Sequence, residues 1–180
     1  MSIDPLKHDL VVNKKVLNSI QDTSVNDENE DIIIFQNEDT EESVTDELSS
    51  FDKSILENGQ WKTIEASQNR ALGFLWETGS KTYQTSSGVS ITLDESENAE
   101  IYENTETGEV VVIGANGATV SSNSDNTKIS IYDSDIENLK TSSGNDDIKV
   151  FYSNIQKIDS GKGIDSVTIK NSSVKQIETG

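Results

Sequence analysis

The residues best placed to do chemistry in this chain are glycines and aspartates that return every 19 positions. Gly144 and Gly163 form one such pair and Asp146 and Asp165 another, each aspartate two residues after its glycine. Glycine lets a loop aim its carbonyls in directions that other residues avoid. A plainer role is equally open, in which Gly and Asp only make a turn and cap the strand that follows. Nucleophilic and acid–base chemistry has little to work with. His8 is the only histidine and there is no cysteine, which removes a Ser/His/Asp triad, a thiol nucleophile, a thiolate metal site and any disulfide. Carboxylates are so frequent that no pair stands out as glycosidase machinery. The lysines do not align, since Lys149 has Ser130 and Thr168 at the equivalent positions and Lys170 has Phe151. These 180 residues are therefore expected not to be an enzyme, although a catalytic domain beyond residue 180 stays open.

The elements that must hold the Gly/Asp loops follow from the same period. Ile129, Ile131, Ile136 and Leu139 become Ile148, Val150, Ile155 and Ile158 on adding 19, and Val167, Ile169, Val174 and Ile177 on adding 19 again. Subtracting 19 gives Val110, Val112, Gly117 and Val120, then Ile91, Leu93, Asn98 and Ile101, with the third position decayed in both. Ser134, Ser153 and Ser172 keep the step, as do Thr141, Ser160 and Thr179. A fixed period of this length marks stacked coils that touch only their neighbours. The first two apolar positions are i and i+2, one face of a short strand. The last two lie three apart, which suits a second arc, and turn-forming residues separate them. β-Branched residues fill the inward positions and no 3.6-residue period appears. The expected fold is all-β: a single-stranded parallel β-helix, or β-solenoid, of 19-residue right-handed coils, preceded by a disordered acidic tail. On this reading Ile155→Asp is severe and Ser153→Asp, at a turn, nearly neutral.

The loop sequence adds a resemblance. Residues 160–169 read SGKGIDSVTI, which resembles the bacterial RTX calcium-binding repeat GGxGxDx(apolar)x, with Ser160 at the first glycine and Gly161, Gly163, Asp165 and Val167 on the motif. The preceding coil, TSSGNDDIK at 141–149, keeps Gly144, Asp146 and Ile148. One coil earlier, Asp125 and Thr127 replace the glycine and aspartate. The resemblance implies Ca²⁺, with Asp146 and Asp165 as side-chain ligands and carbonyls near Gly144 and Gly163. Calcium takes about six to eight oxygens in a flexible shell. The second half-turn, NSSVKQIET at 171–179, has no GxGxD, so one side of the coil at most would bind, and Lys162 adds a positive charge there. Arrays of this kind belong to large bacterial surface or secreted proteins, as adhesin-like or spacer modules, and some precede a catalytic domain such as a calpain-like cysteine protease.

Composition sets the outer bounds. The formal charge of −19 argues against nucleic acid and anionic membranes as partners, and leaves divalent cations, a protein or a carbohydrate surface ligand. No run of apolar residues is long enough for a spanning helix, and Ser2–Leu10 contain no apolar core of a signal peptide. Secretion or surface display is the expectation, by a route the sequence does not reveal. Residues 1–60 are expected to be an acidic, mostly disordered tail, because residues 21–50 hold 11 Asp or Glu and no Lys or Arg. Two apolar islands interrupt it. Leu10–Ile20 could form a helix and Ile32–Phe35 a strand or docking motif, though residual clusters are the simpler expectation for both. Residues 61–82, with Trp61, Leu72, Phe74 and Trp76, suit an N-terminal cap or degenerate first coil, and residues 83–180 the repeats. The last coil ends at Gly180 without a visible cap, so a truncated array is expected, fraying over 160–180 or associating end to end.

Overall fold

The computed structural model describes residues 31–36, 53–69 and 79–180. In chain order the strands are β1 (Ile32–Gln36), β2 (Trp61–Thr63), β3 (Ala66–Asn69), β4 (Ser80–Gln84), β5 (Val89–Asp94) and β6 (Glu100–Asn104). Four pairs follow: β7 (Val110–Ile113) and β8 (Asn116–Ser122), β9 (Lys128–Tyr132) and β10 (Asp135–Lys140), β11 (Asp147–Phe151) and β12 (Asn154–Asp159), β13 (Ser166–Lys170) and β14 (Ser173–Glu178). A 3-10 helix covers Lys53–Asn58. Two sheets result, in the orders β1-β13-β11-β9-β7-β6-β2 and β14-β12-β10-β8-β5-β4-β3.

From β7 onward the chain is a β-solenoid of four coils. Each coil gives one strand to each sheet, and every pairing between coils is parallel. Inside the coils the aliphatic side chains stack as columns. Val110, Ile129, Ile148 and Val167 form one and Val112, Ile131, Val150 and Ile169 another, all buried. In the second sheet Ile136, Ile155 and Val174 share a column, and Leu139, Ile158 and Ile177 the next. The three-residue spacing of these last positions is met by a bend. The register passes from Ile136↔Ile155 to Asn138↔Lys157, skipping Glu137 and Gln156, so two outward residues separate two inward ones. The first coil corrects the expected decay at Gly117. There the backbone takes φ 63 and the register slips by one residue, so that Ala118 stands opposite Ile136 and fills the column.

Before residue 110 the chain departs from the expected repeat. Strands β5 and β6 run antiparallel to β8 and β7, with Ile91 opposite Val120 and Ile101 opposite Val112. Their side chains are buried as expected, but they belong to hairpins rather than to a coil. Strands β2, β3 and β4 are antiparallel as well, and close that end of both sheets. Alternating apolar residues suit either strand direction, because direction changes the hydrogen-bond pattern and leaves the side-chain alternation intact. Leu72, Phe74 and Trp76 lie outside the described residues, as does Leu10–Ile20.

The other end brings a second correction. Ile32–Phe35 is not a residual cluster: it lies in β1, parallel to β13, with Ile33 opposite Val167 and Phe35 opposite Ile169. Phe35 is buried. The end of the first sheet is therefore covered by residues 31–36, where an unpaired edge was expected. Among the described residues nothing pairs with the outer edge of β14.

Candidate functional site

The structure brings Asp146 and Asp165 together in one column inside the turn, and both are buried. Oδ1 of Asp146 accepts the Thr127 N–H at 2.6 Å, and Oδ1 of Asp165 accepts the Asp146 N–H at 2.9 Å. Each carboxylate thus bonds the backbone of the coil before it. One further step repeats the contact, for the Asp165 N–H donates to Oδ1 of Asp31 at 2.6 Å. Asp31, which sequence reasoning missed, continues the column from 134 residues away.

Gly144 and Gly163 serve close packing of the loops. A Cβ at Gly163 would run into the Gly144 carbonyl, and one at Gly144 would come within 2.6 Å of the Asn126 backbone nitrogen. Their φ values of 143 and 108 also favour glycine. The loop backbones bond directly to one another, Gly144 N–H to the Lys162 carbonyl at 2.8 Å and Lys162 N–H to the Ser142 carbonyl at 3.1 Å. Lys162 is exposed.

What these residues leave for a ligand is limited. Oδ2 of Asp146, Oδ2 of Asp165 and Oγ of Ser160 are buried without a hydrogen-bond partner. They are oxygens of the kind Ca²⁺ takes, but they fall short of the roughly six to eight it needs. Among the described residues no group of three or more His, Asp or Glu side chains is placed to hold a metal. Burial pushes the Asp165 carboxyl above its ordinary range, and the charges of Asp31 and Asp146 push the same way. The Asp146 N–H pulls it back, helped by the Ser160 hydroxyl, which lies close without making a bond of ordinary geometry.

The serine column on the opposite turn is a second ladder. Oγ of Ser153 accepts the Ser134 N–H at 3.0 Å and donates to the Phe151 carbonyl at 2.7 Å. Ser134 and Ser172 repeat both bonds. Ser153 is buried, so Ser153→Asp would bury a charge and lose the bond donated to the Phe151 carbonyl, contrary to the neutral effect expected from its place in a turn. The period alone carried the signal, since a turn serine free of structural duty has no reason to recur every 19 residues.

Outside the second sheet, the bend that skips Glu137 and Gln156 opens a shallow groove of about 490 Å³. Its polar walls are columns: Asn116, Asp135, Asn154 and Ser173 on one side, and Glu137, Gln156 and Lys175 on the other. Asn154 Nδ2 donates to Asp135 Oδ1 at 2.8 Å along the first. No described helix is long and apolar enough to cross a membrane. No family model, no characterised protein and no solved structure matches the chain.

Proposed function

We propose that the chain is a non-catalytic structural and binding module, a rigid scaffold that offers polar columns to a protein or carbohydrate partner. The groove over the second sheet carries this reading. An extended polymer laid across it meets a polar side chain at each step of about 4.8 Å, the strand spacing. Such a part suits a large bacterial surface or secreted protein, as an adhesin-like module or spacer. Electrophoresis through gels containing neutral polysaccharides, with overlays on surface proteins, tests it. Retardation or binding that is lost in Asn154→Ala/Gln156→Ala, with the melting curve kept, is the expected result. Release of new reducing ends or cleaved peptide would overturn the non-catalytic reading.

A second reading, Ca²⁺ as a stiffener, is favoured by the three unpartnered buried oxygens. Asp146 and Asp165 would hold the ion through their free Oδ2 atoms, with carbonyls near Gly144 and Gly163. Calorimetry decides it: binding heat and a raised melting temperature at millimolar Ca²⁺, both reduced in Asp165→Asn, are expected. Neither heat nor shift would sink it.

A further inference from the structure

Residues 31–36 repeat the register and the entry hydrogen bonds of a coil strand. Asp146, Ile148 and Val150 share columns with Asp165, Val167 and Ile169, and then with Asp31, Ile33 and Phe35. The strand-entry bond is copied too: Asp147 N–H reaches the Thr127 carbonyl at 2.8 Å, Ser166 N–H the Asp146 carbonyl at 2.8 Å, and Ile32 N–H the Asp165 carbonyl at 2.7 Å. The outer edge of β13, with the Asp165 N–H beside it, is thus a seat that reads the pattern Asp-x-apolar-x-apolar. Its occupant is not part of the coil body. It is joined to the opposite end of the molecule through residues 37–52, because Lys53 bonds Glu100 at 2.7 Å on β6.

We propose that this seat is a strand-exchange interface, and that its second occupant is the Asp31–Gln36 strand of another copy of the chain. Each copy carries both halves of the contact, and only tether length keeps them together in one molecule. In the first sheet β1 and β6 are five strand steps apart, or about 24 Å. Residues 37–52 reach about 55–60 Å when extended, which allows closure within one chain. A tether too short for that distance forbids closure and hands the strand to a neighbour, as shortened hinges do in domain swapping. The inference rests on the fold alone and stands or fails separately from the scaffold reading.

Deletion of residues 38–49 leaves four residues between Gln36 and Lys53, about 17 Å at full stretch. Sedimentation should show this variant as a dimer or larger, with the amides of Ile32 and Ile34, which face β13, still protected from exchange, while the parent at the same concentration is a monomer. A monomeric deletion variant overturns the proposal, whether its strand amides are open or protected. The seat is tested separately in the full chain carrying Ile33→Asp/Phe35→Asp, which empties it. A labelled peptide of residues 29–38 should bind this variant at one per chain. It should bind about tenfold to a hundredfold more weakly when Asp31 is replaced by Ala, since that removes a charge-assisted hydrogen bond. No binding to a variant with intact coil protection, or equal binding of the two peptides, overturns the recognition pattern.

Discussion

Glu103 in the antiparallel cap and Asp165 in the parallel stack are both buried carboxylates, 2% and 1% exposed, in opposite situations. Oε2 and Oε1 of Glu103 accept the N–H groups of Ser86 and Ser87 at 3.0 and 2.6 Å, so both oxygens are satisfied by one hairpin turn. Asp165 bonds one N–H a coil away through Oδ1, while its Oδ2 has no partner and Asp146 and Asp31 lie above and below. Burial raises the Glu103 carboxyl, but the bonds from Ser86 and Ser87 outweigh it and leave the group below its ordinary value. Burial at Asp165 is not outweighed, and that group sits above its ordinary value. The cap gives its buried carboxylate two donors from one turn of a neighbouring hairpin. Asn104 is capped within its own turn, its Oδ1 taking the N–H groups of Glu106 and Thr107. The stack solves polar burial by repetition, each coil capping the last, which leaves like charges in register.

The sharpest way to break this contrast is in the apolar columns of the stack. Ile155 is buried between Ile136 and Val174, and Ile155→Asp places an unpaired charge among them. Urea unfolding should show a loss of about 4 kcal/mol or more, or no folded stack at all. A loss near 1 kcal/mol would mean that the columns are not the core.

Next is Glu103→Ala, which strands the N–H groups of Ser86 and Ser87 and should cost about 1.5–3 kcal/mol. If that capping is confined to the cap, hydrogen exchange rises over β4 and β5 and stays low over β11–β14. Equal loosening of both regions would erase the distinction between them.

The pH dependences of the two carboxylates should have opposite signs. Glu103, depressed from 4.5, contributes stability that is present above that value and lost as the pH falls through its folded pKa. Asp165, raised from 3.8, contributes stability that is full below that value and lost as the pH rises through its folded pKa. Thermal melts across the acid range should therefore show Asp165→Asn gaining on the parent as pH rises above 3.8. Glu103→Gln should fall behind the parent over the rise toward 4.5. The same sign for both variants would sink the comparison.

The smallest effect concerns a turn column. Gly114, Asp133, Tyr152 and Asn171 all have positive φ, at 67, 47, 50 and 50. Tyrosine is the member least suited to it. Tyr152→Asn should stabilise the stack by up to about 1 kcal/mol in the same urea assay. A loss of stability would show that Tyr152 earns its place by packing.

Much of this molecule is legible in its sequence, because a solenoid writes its translational symmetry into the chain. The 19-residue step placed Ile129, Ile148 and Val167 in one column and Ile136, Ile155 and Val174 in another, and it marked the Ser134, Ser153 and Ser172 positions before their bonds were known. Symmetry of that kind carries no sign for direction. The alternation at Ile91 and Leu93 fits a coil and a hairpin equally, and only the pairing of Ile91 with Val120 in the fold decided that the chain reverses there. The burial of Asp146 and Asp165 was likewise beyond the sequence, since an aspartate after a glycine reads the same whether it faces an ion or a neighbouring N–H. Asp31 is the extreme case. Its six-residue segment has the composition of a short strand and no repeat around it, and what it pairs with was decided by a free edge 134 residues further on, which exists only once the coils have stacked.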